Sequence, residues 1–398
     1  LQGDSVNHTE GIRNSIAVDN HLIADFNTHS RIQNYNGHYW GKFAHLVIGA
    51  KDLRARKGKF DTPWQAPVDD MYPMPELRFV DYRLADLFDQ RAIELNELAK
   101  QSNKKIALMW SGGIDSTAVL VSFLKNLSLA DLDNLEIVLS TESIIENFDF
   151  YKNFISSKLR CLHLSEFDMC NTTLEKYMLV HGDPGDCVFG PTSPAFRHLF
   201  ATGRHNFPWR GNLHLISEFF DMDQSINREI GFGTWYVNRA SRNLEEVNPE
   251  NVTTITDWWW WHYFNFKWPT AIVRPFMHLR KDYKAPIDRK HRVDYANYTY
   301  FNTDAFQQWS YSNLKNHFKH IDQGKRGIKW EAKKYIFEFD KNDMYANEKI
   351  KIASKSPDFE LRSLSVSPLY YDQDWIGYHP WEPGVKKAAV DMLESFNG

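Results

Sequence analysis

The sequence predicts an α/β chain, with a parallel sheet covered by helices on both faces and a mainly helical part behind it. Three observations predict this. Short apolar runs alternate with amphipathic stretches from Lys104 to Gly182, the order that builds parallel strands with crossover helices. Two of those runs end in glycine turns, at 111–113 and 182–185, where such a sheet presents its ligand loops. Beyond residue 190 the alternation fades into long, aromatic-rich stretches with helical spacing. The expected division is 1–103, a mixed N-terminal region with small strands and a helix; 104–200, the α/β core; and 201–398, the mainly helical part that completes it.

Each element follows in order. "NGHYWGKFAHLVIGA" (36–50) suggests a short strand pair, and Pro63, Pro67, Pro73 and Pro75 mark an irregular connector. "YRLADLFDQRAIELNELAKQ" repeats apolar residues at three and four and predicts a helix from Asp81 to Gln101. "KKIALMW" reads as the first buried strand and "STAVLVSFLKNL" as its helix. "EIVLST" (136–141) and "SIIENFDFYKNFISSK" (143–158) are the second strand and helix. "RCLHLSE" (160–166), "TTLEKY" (172–177) and "YMLVHG" (177–182) are the third strand, the third helix and a fourth strand. Right-handed crossovers put all the strand C-terminal ends on one edge of the sheet.

The composition bounds the function. Hydrophobic residues make up 42% of 398 and charged residues 25%, the balance of a globular protein. A net charge of -4 gives no global attraction to nucleic acid or to an anionic membrane; a local basic groove stays compatible with it, so nucleic acid is a partner not favoured. The three cysteines, Cys161, Cys170 and Cys187, form no CxxC pair, which speaks against a structural zinc or a redox dithiol. With no apolar stretch long enough to cross a bilayer, no membrane partner and a cytoplasmic setting are expected. Four consecutive tryptophans, Trp258–Trp261, cannot share one side of a helix. Some should enter the core and others meet a neighbouring element, with stacking on a base the less favoured reading.

Two segments carry chemistry. Ser111-Gly112-Gly113-Ile114-Asp115-Ser116-Thr117 stands where the first strand gives way to its helix. Glycine permits close backbone approach to a ligand, and N–H groups at a helix N-terminus favour an anion. Ser111, Ser116 and Thr117 add hydroxyl donors. Asp115 would repel a bare phosphate, but fits if Mg2+ bridges it to phosphate oxygens. The plain alternative is a strand-to-helix turn with Asp or Ser capping the helix. The GxxxxGK[ST] loop is absent, because the lysine is missing. The second segment, "LVHGDPGDCVFGP" (179–191), again runs a strand into a glycine turn, with Asp183 and Asp186 three apart. Gly-Asp-Pro-Gly is ordinary turn chemistry. At a neighbouring strand end, the two acids become a magnesium cage beside a triphosphate.

"SGGIDS" resembles the pyrophosphate-binding loop of the N-type ATP pyrophosphatases (the PP-loop superfamily), and the whole is closest to the synthetase domain of asparagine synthetase. The second segment is similar to that family's Ser-Gly-acidic-Gly-x-Asp-Glu-x-Phe-Gly-Gly, which Gly182, Asp183, Gly185, Asp186, Phe189 and Gly190 match. His181, Pro184, Cys187 and Pro191 depart from it, replacing Ser, Gly, Glu and Gly. The resemblance implies an adenine nucleotide alpha hydrolase-like, Rossmann-like fold, with ATP and Mg2+ as cofactors. It places Asp183 as the base on an attacking amine, and Asp186, with Asp115, on the metal. It also implies a pyrophosphate lysine from the C-terminal half within an Arg-x-Lys spacing, which "NEKIKIAS" offers as Lys349 and Lys351, Lys351 being preferred. Ser140 and Thr141, at the end of the second strand, stand where such folds hold adenine and ribose; helix capping at Ser143 is the competing reading.

The family's glutaminase domain begins with a cysteine. No cysteine precedes Cys161, and the stretch ahead of the synthetase-like part is too short for that domain. A nitrogen donor, if there is one, is then expected to be free ammonia, a substrate amine, or the product of a separate ammonia-supplying partner. The expected activity is an AMP-forming, ATP-dependent ligase. It adenylates a small-molecule acid, releases pyrophosphate and transfers an amine or ammonia to give an amide. Two alternatives stay open: nucleobase or tRNA modification through an adenylated intermediate, and a nucleotide-binding regulatory protein without turnover.

Overall fold

The computed structural model describes residues 74–190 without a break and, beyond them, chiefly 202–222, 232–268, 287–317 and 329–345. The strand pair expected over 36–50, Lys349 and Lys351 lie outside the described residues. The chain divides into two compact units. One, the sheet unit, holds Asp81–Gly185, Tyr298–Phe301 and Lys315–Gly398; the other, the helical unit, holds Leu1–Val80, Asp186–Asn297 and Asn302–Leu314.

The sheet unit opens with α1 (Leu84–Gln101). There follow β1 (Lys105–Met109), α2 (Ile114–Asn126), β2 (Leu135–Leu139) and α3 (Thr141–Glu146). After α3 come a short turn at Phe148–Phe150 and a π-helical turn at Tyr151–Ile155, then β3 (Arg160–His163). α4 (Asn171–Lys176) leads into β4 (Tyr177–His181), and α5 (Gly185–Val188) follows directly. All four strands are parallel, in the order β3-β2-β1-β4. The α/β class with a parallel sheet is therefore observed. β2 is buried along its whole length, as an inner strand with both faces covered must be. β3, mostly exposed, is an edge.

This order decides where the ligand edge lies. The chain steps from β1 to β2 to β3 on one side, then returns to β4 on the other side of β1. The strand order reverses between β1 and β4, and ligands bind at such switch points, beyond the strand C-termini. Met109 pairs with His181 in the β1–β4 register. The turns after these two residues therefore leave the sheet side by side, and they are the two glycine segments.

The second helix differs from the continuous one expected over 143–158. Ser140 caps it in a reciprocal capping box with Ser143, so it begins at Thr141, and it breaks at Asn147 (φ -147°, ψ 66°). The apolar spacing runs through the break, which is why the sequence pattern does not register it.

At the opposite end of the strands, Glu136 ties the sheet together. Its carboxylate accepts from Lys105 Nζ at 2.5 Å and from the Tyr177 hydroxyl at 2.8 Å, with Arg160 3.7 Å away. One residue from each strand meets there. Burial pushes the Glu136 carboxyl up, but these donors outweigh it and hold its pKa below the ordinary value. Such a group stabilises the fold above its unfolded pKa, and the contribution is lost as pH falls through the lowered folded value. Glu136→Gln should cost about 1–3 kcal/mol at pH 7, less than a fully buried pair because Lys105 and Arg160 are partly exposed. The gap from wild type should close in acid. Urea unfolding of both proteins at pH 7 and pH 4 measures it, and a gap independent of pH would contradict the assignment.

Among the described residues of the helical unit, every named element is a helix. α6 (Leu213–Met222) and α7 (Phe232–Val247) precede α8 (Ile255–His262), whose N-cap Thr254 forms a capping box with Asp257. Trp258–Trp261 are all buried, at 0–2% exposure, so α8 is enclosed on every side. Trp258 and Trp260 donate their ring N–H to Ser241 and Ser310, both at 2.9 Å. These rings are core, and none is presented for stacking on a base.

Candidate active site: two glycine turns at the β1/β4 switch point

The first turn is built by its own hydroxyls. The Ser116 side chain accepts from the Ser111 N–H at 3.1 Å, lies 3.0 Å from the Ser111 hydroxyl, and donates to the Gly113 carbonyl at 3.2 Å. Gly112 sits at φ +72°, the left-handed region that favours glycine. Gly113 is the N-cap of α2, and no side chain caps that helix. The Gly113 N–H itself donates to the Ser111 hydroxyl at 3.3 Å. A helix N-terminus carries N–H groups without intrahelical partners and the positive end of the dipole. Thr117 is turned the other way: fully buried, it accepts from the Trp110 ring N–H at 3.1 Å.

The second turn packs onto the first through two missing side chains. A Cβ on Gly182 would stand 2.7 Å from the Ser116 nitrogen, and one on Gly185 2.6 Å from the Asp115 carboxyl carbon. The turn is closed by Gly185 N–H donating to Gly182 O at 2.9 Å, and its Asp183–Pro184 peptide is cis. Asp183 is half-buried, and its backbone N–H donates to His181 Nδ1 at 3.2 Å. That bond leaves the proton of a neutral His181 on Nε2, which faces the Thr299 hydroxyl at 3.4 Å. His181, where the resembled motif has Ser, thus holds the turn that carries Asp183. Asp186 is half-buried on α5 and belongs to the helical unit.

From the C-terminal part come two groups that no sequence motif singles out. Lys329, at the N-cap of α9 (Trp330–Asp340), forms a short ion pair with Asp115. Its side chain is 7% exposed, against 18% for Asp115. The Tyr345 hydroxyl donates to the Gly112 carbonyl at 3.2 Å and lies 3.5 Å from the Thr117 hydroxyl. Burial raises the Tyr345 phenol well above its ordinary pKa, so it remains a donor. Lys329 lies ahead of Lys349 and Lys351, the residues that the Arg-x-Lys spacing singles out. The only local signal was a lysine directly ahead of a helical run.

Ser140 and Thr141 stand at the end of β2. The Ser140 hydroxyl is 5% exposed and engaged with Ser143, so it serves the cap; Thr141 is half-buried. A magnesium ion is compatible with this donor set. Asp115 already faces one cation, and among the described residues no group of three metal-ligating side chains exists. A carboxylate that faces a cation has the donor chemistry of a hard divalent ion, which takes one or two protein carboxylates beside phosphate oxygens and water. Comparison with protein-family models, with curated proteins and with solved structures found no significant match.

Proposed function

We propose that the protein is an ATP-dependent, AMP-forming ligase of the N-type ATP pyrophosphatase kind, with an adenine nucleotide alpha hydrolase-like core and asparagine synthetase-like chemistry. The observation that carries the reading is the seating of Gly182 and Gly185 against Ser116 and Asp115. It joins an uncapped, glycine-opened helix N-terminus to a second acid-bearing turn at a topological switch point.

In this reading the 111–116 backbone binds the β- and γ-phosphates of ATP. A carboxylate oxygen of the substrate bonds to the α-phosphorus, the bond from that phosphorus to the β-bridging oxygen breaks, and pyrophosphate leaves. Lys329 neutralises the growing charge on the leaving group. Asp115 would hold Mg2+ on the protein side, and the ion would supply further charge neutralisation. An amine nitrogen then bonds to the acyl carbon as the carbon–oxygen bond to AMP breaks. Asp183, oriented through His181, accepts the amine proton.

Incubation of the protein with ATP, Mg2+ and a pool of carboxylic acids and amines should give AMP and pyrophosphate, resolved by mass spectrometry. Formation of ADP and phosphate would rule the mechanism out. A matching amide product, rather than a modified nucleoside or tRNA, identifies the acceptor class.

A further inference from the structure

We propose that the side-chain amide of Asn147 is a ligand-binding group of this site, donating to a phosphoryl oxygen of the bound polyphosphate from the β2 side; the proposal rests on the reading of 111–116 as a pyrophosphate loop. Asn147 is 5% exposed, and its side-chain nitrogen is buried with no hydrogen-bond partner among the described residues. A buried donor without an acceptor is costly and rare in folded proteins, so one that persists needs a cause. The neighbouring hydroxyls differ. Ser111, Ser116, Thr117, Ser140 and Ser143 all have hydrogen-bond partners within the site.

Local structure does not supply the cause. Asn147 stands at the N-cap position of the Phe148–Phe150 turn, where an asparagine side chain would ordinarily bond to a backbone N–H, yet it makes no capping bond. What it adjoins is the phosphate loop. A Cβ on Gly112 would lie 3.2 Å from the Asn147 backbone nitrogen, and 2.4 Å and 2.9 Å from the Ser143 carbonyl oxygen and Glu146 Cβ. The end of α3 is thus pressed against the middle of the loop, and Asn147 is the residue that closes it. An amide gives an anionic oxygen a hydrogen bond without charge; aspartate in its place would repel it.

The test uses Asn147→Leu, of similar size and apolar, and Asn147→Asp, of the same shape and charged. Affinities for magnesium pyrophosphate and magnesium ATP are measured by calorimetry, and thermal unfolding is followed without ligand. The expected result for Asn147→Leu is an unliganded unfolding temperature equal to or above wild type, because an apolar group replaces an unpartnered amide. Its affinity for both ligands should fall roughly ten- to a hundredfold, and Asn147→Asp should fall further. Wild-type affinity retained in Asn147→Leu overturns the proposal. So does a lowered unfolding temperature with unchanged binding, which makes the amide structural. Weakened ATP binding with unchanged pyrophosphate binding overturns the phosphate assignment. A wild-type protein that binds neither ligand overturns the pyrophosphate-loop reading, and this inference with it.

Discussion

Lys329→Met should lower ATP-dependent pyrophosphate release by about 100- to 1,000-fold, the scale seen when one preorganised charge-stabilising donor is removed from an active site. The ammonium is nearly enclosed and paired with Asp115, the acid of the proposed phosphate loop. Without it, an uncompensated carboxylate would face the polyphosphate. The same substitution should cost stability, about 1–3 kcal/mol, because Asp115 keeps some solvent contact and is not a fully buried charge. The two effects separate in a double variant. Asp115→Asn with Lys329→Met removes both charges, so stability should recover while activity stays lost. Lys329→Arg keeps the charge with different geometry and should retain part of the activity. Pyrophosphate release and thermal unfolding are the measurements. Activity above a third of wild type in Lys329→Met would remove this lysine from the mechanism. Loss of activity in Lys351→Met instead would return the role to the residue suggested by the sequence spacing.

The sheet was legible because its signals are local. Short, mostly apolar runs such as "KIALM" and "LEIVL" need only their own composition to read as buried strands. The glycine turns were legible for the same reason. Their adjacency was not, since it follows from β4 inserting beside β1, a non-local pairing that no spacing encodes. Lys329 and Tyr345 reach the loop across more than two hundred residues of chain, so no window of sequence joins them to it. The Trp110 ring N–H donates to the Thr117 hydroxyl inside the core, a contact that the loop's spacing does not show. The tryptophan run shows the limit of facing arguments. Four neighbouring rings do point in different directions, but α8 is buried all round, so every direction is core.

Gly112→Ala tests the loop through its backbone alone. Two costs meet at this residue. An alanine at φ +72° carries about 1–2 kcal/mol of conformational penalty. Its Cβ would also stand 2.4 Å from the Ser143 carbonyl oxygen and 2.9 Å from Glu146 Cβ. The closest atom is backbone, at the helix that Ser140 anchors, so no flexible side chain can swing away. The loop must move instead, carrying with it the N–H groups that would hold the phosphates and the carbonyl that Tyr345 holds. A displacement of about 1 Å at a positioning group costs on the order of a hundredfold in rate. The expected outcome is a loss of at least that size in pyrophosphate release, with destabilisation of roughly 2–5 kcal/mol. Gly203→Ala is the matched control: its φ is +70° and nothing lies within 4 Å of the added Cβ. It bears the conformational penalty without the collision and should leave the rate unchanged. Thermal unfolding and pyrophosphate release on the two variants separate the contributions. Indistinguishable behaviour would mean that the close packing of Gly112 against α3 does not hold the loop in its working shape.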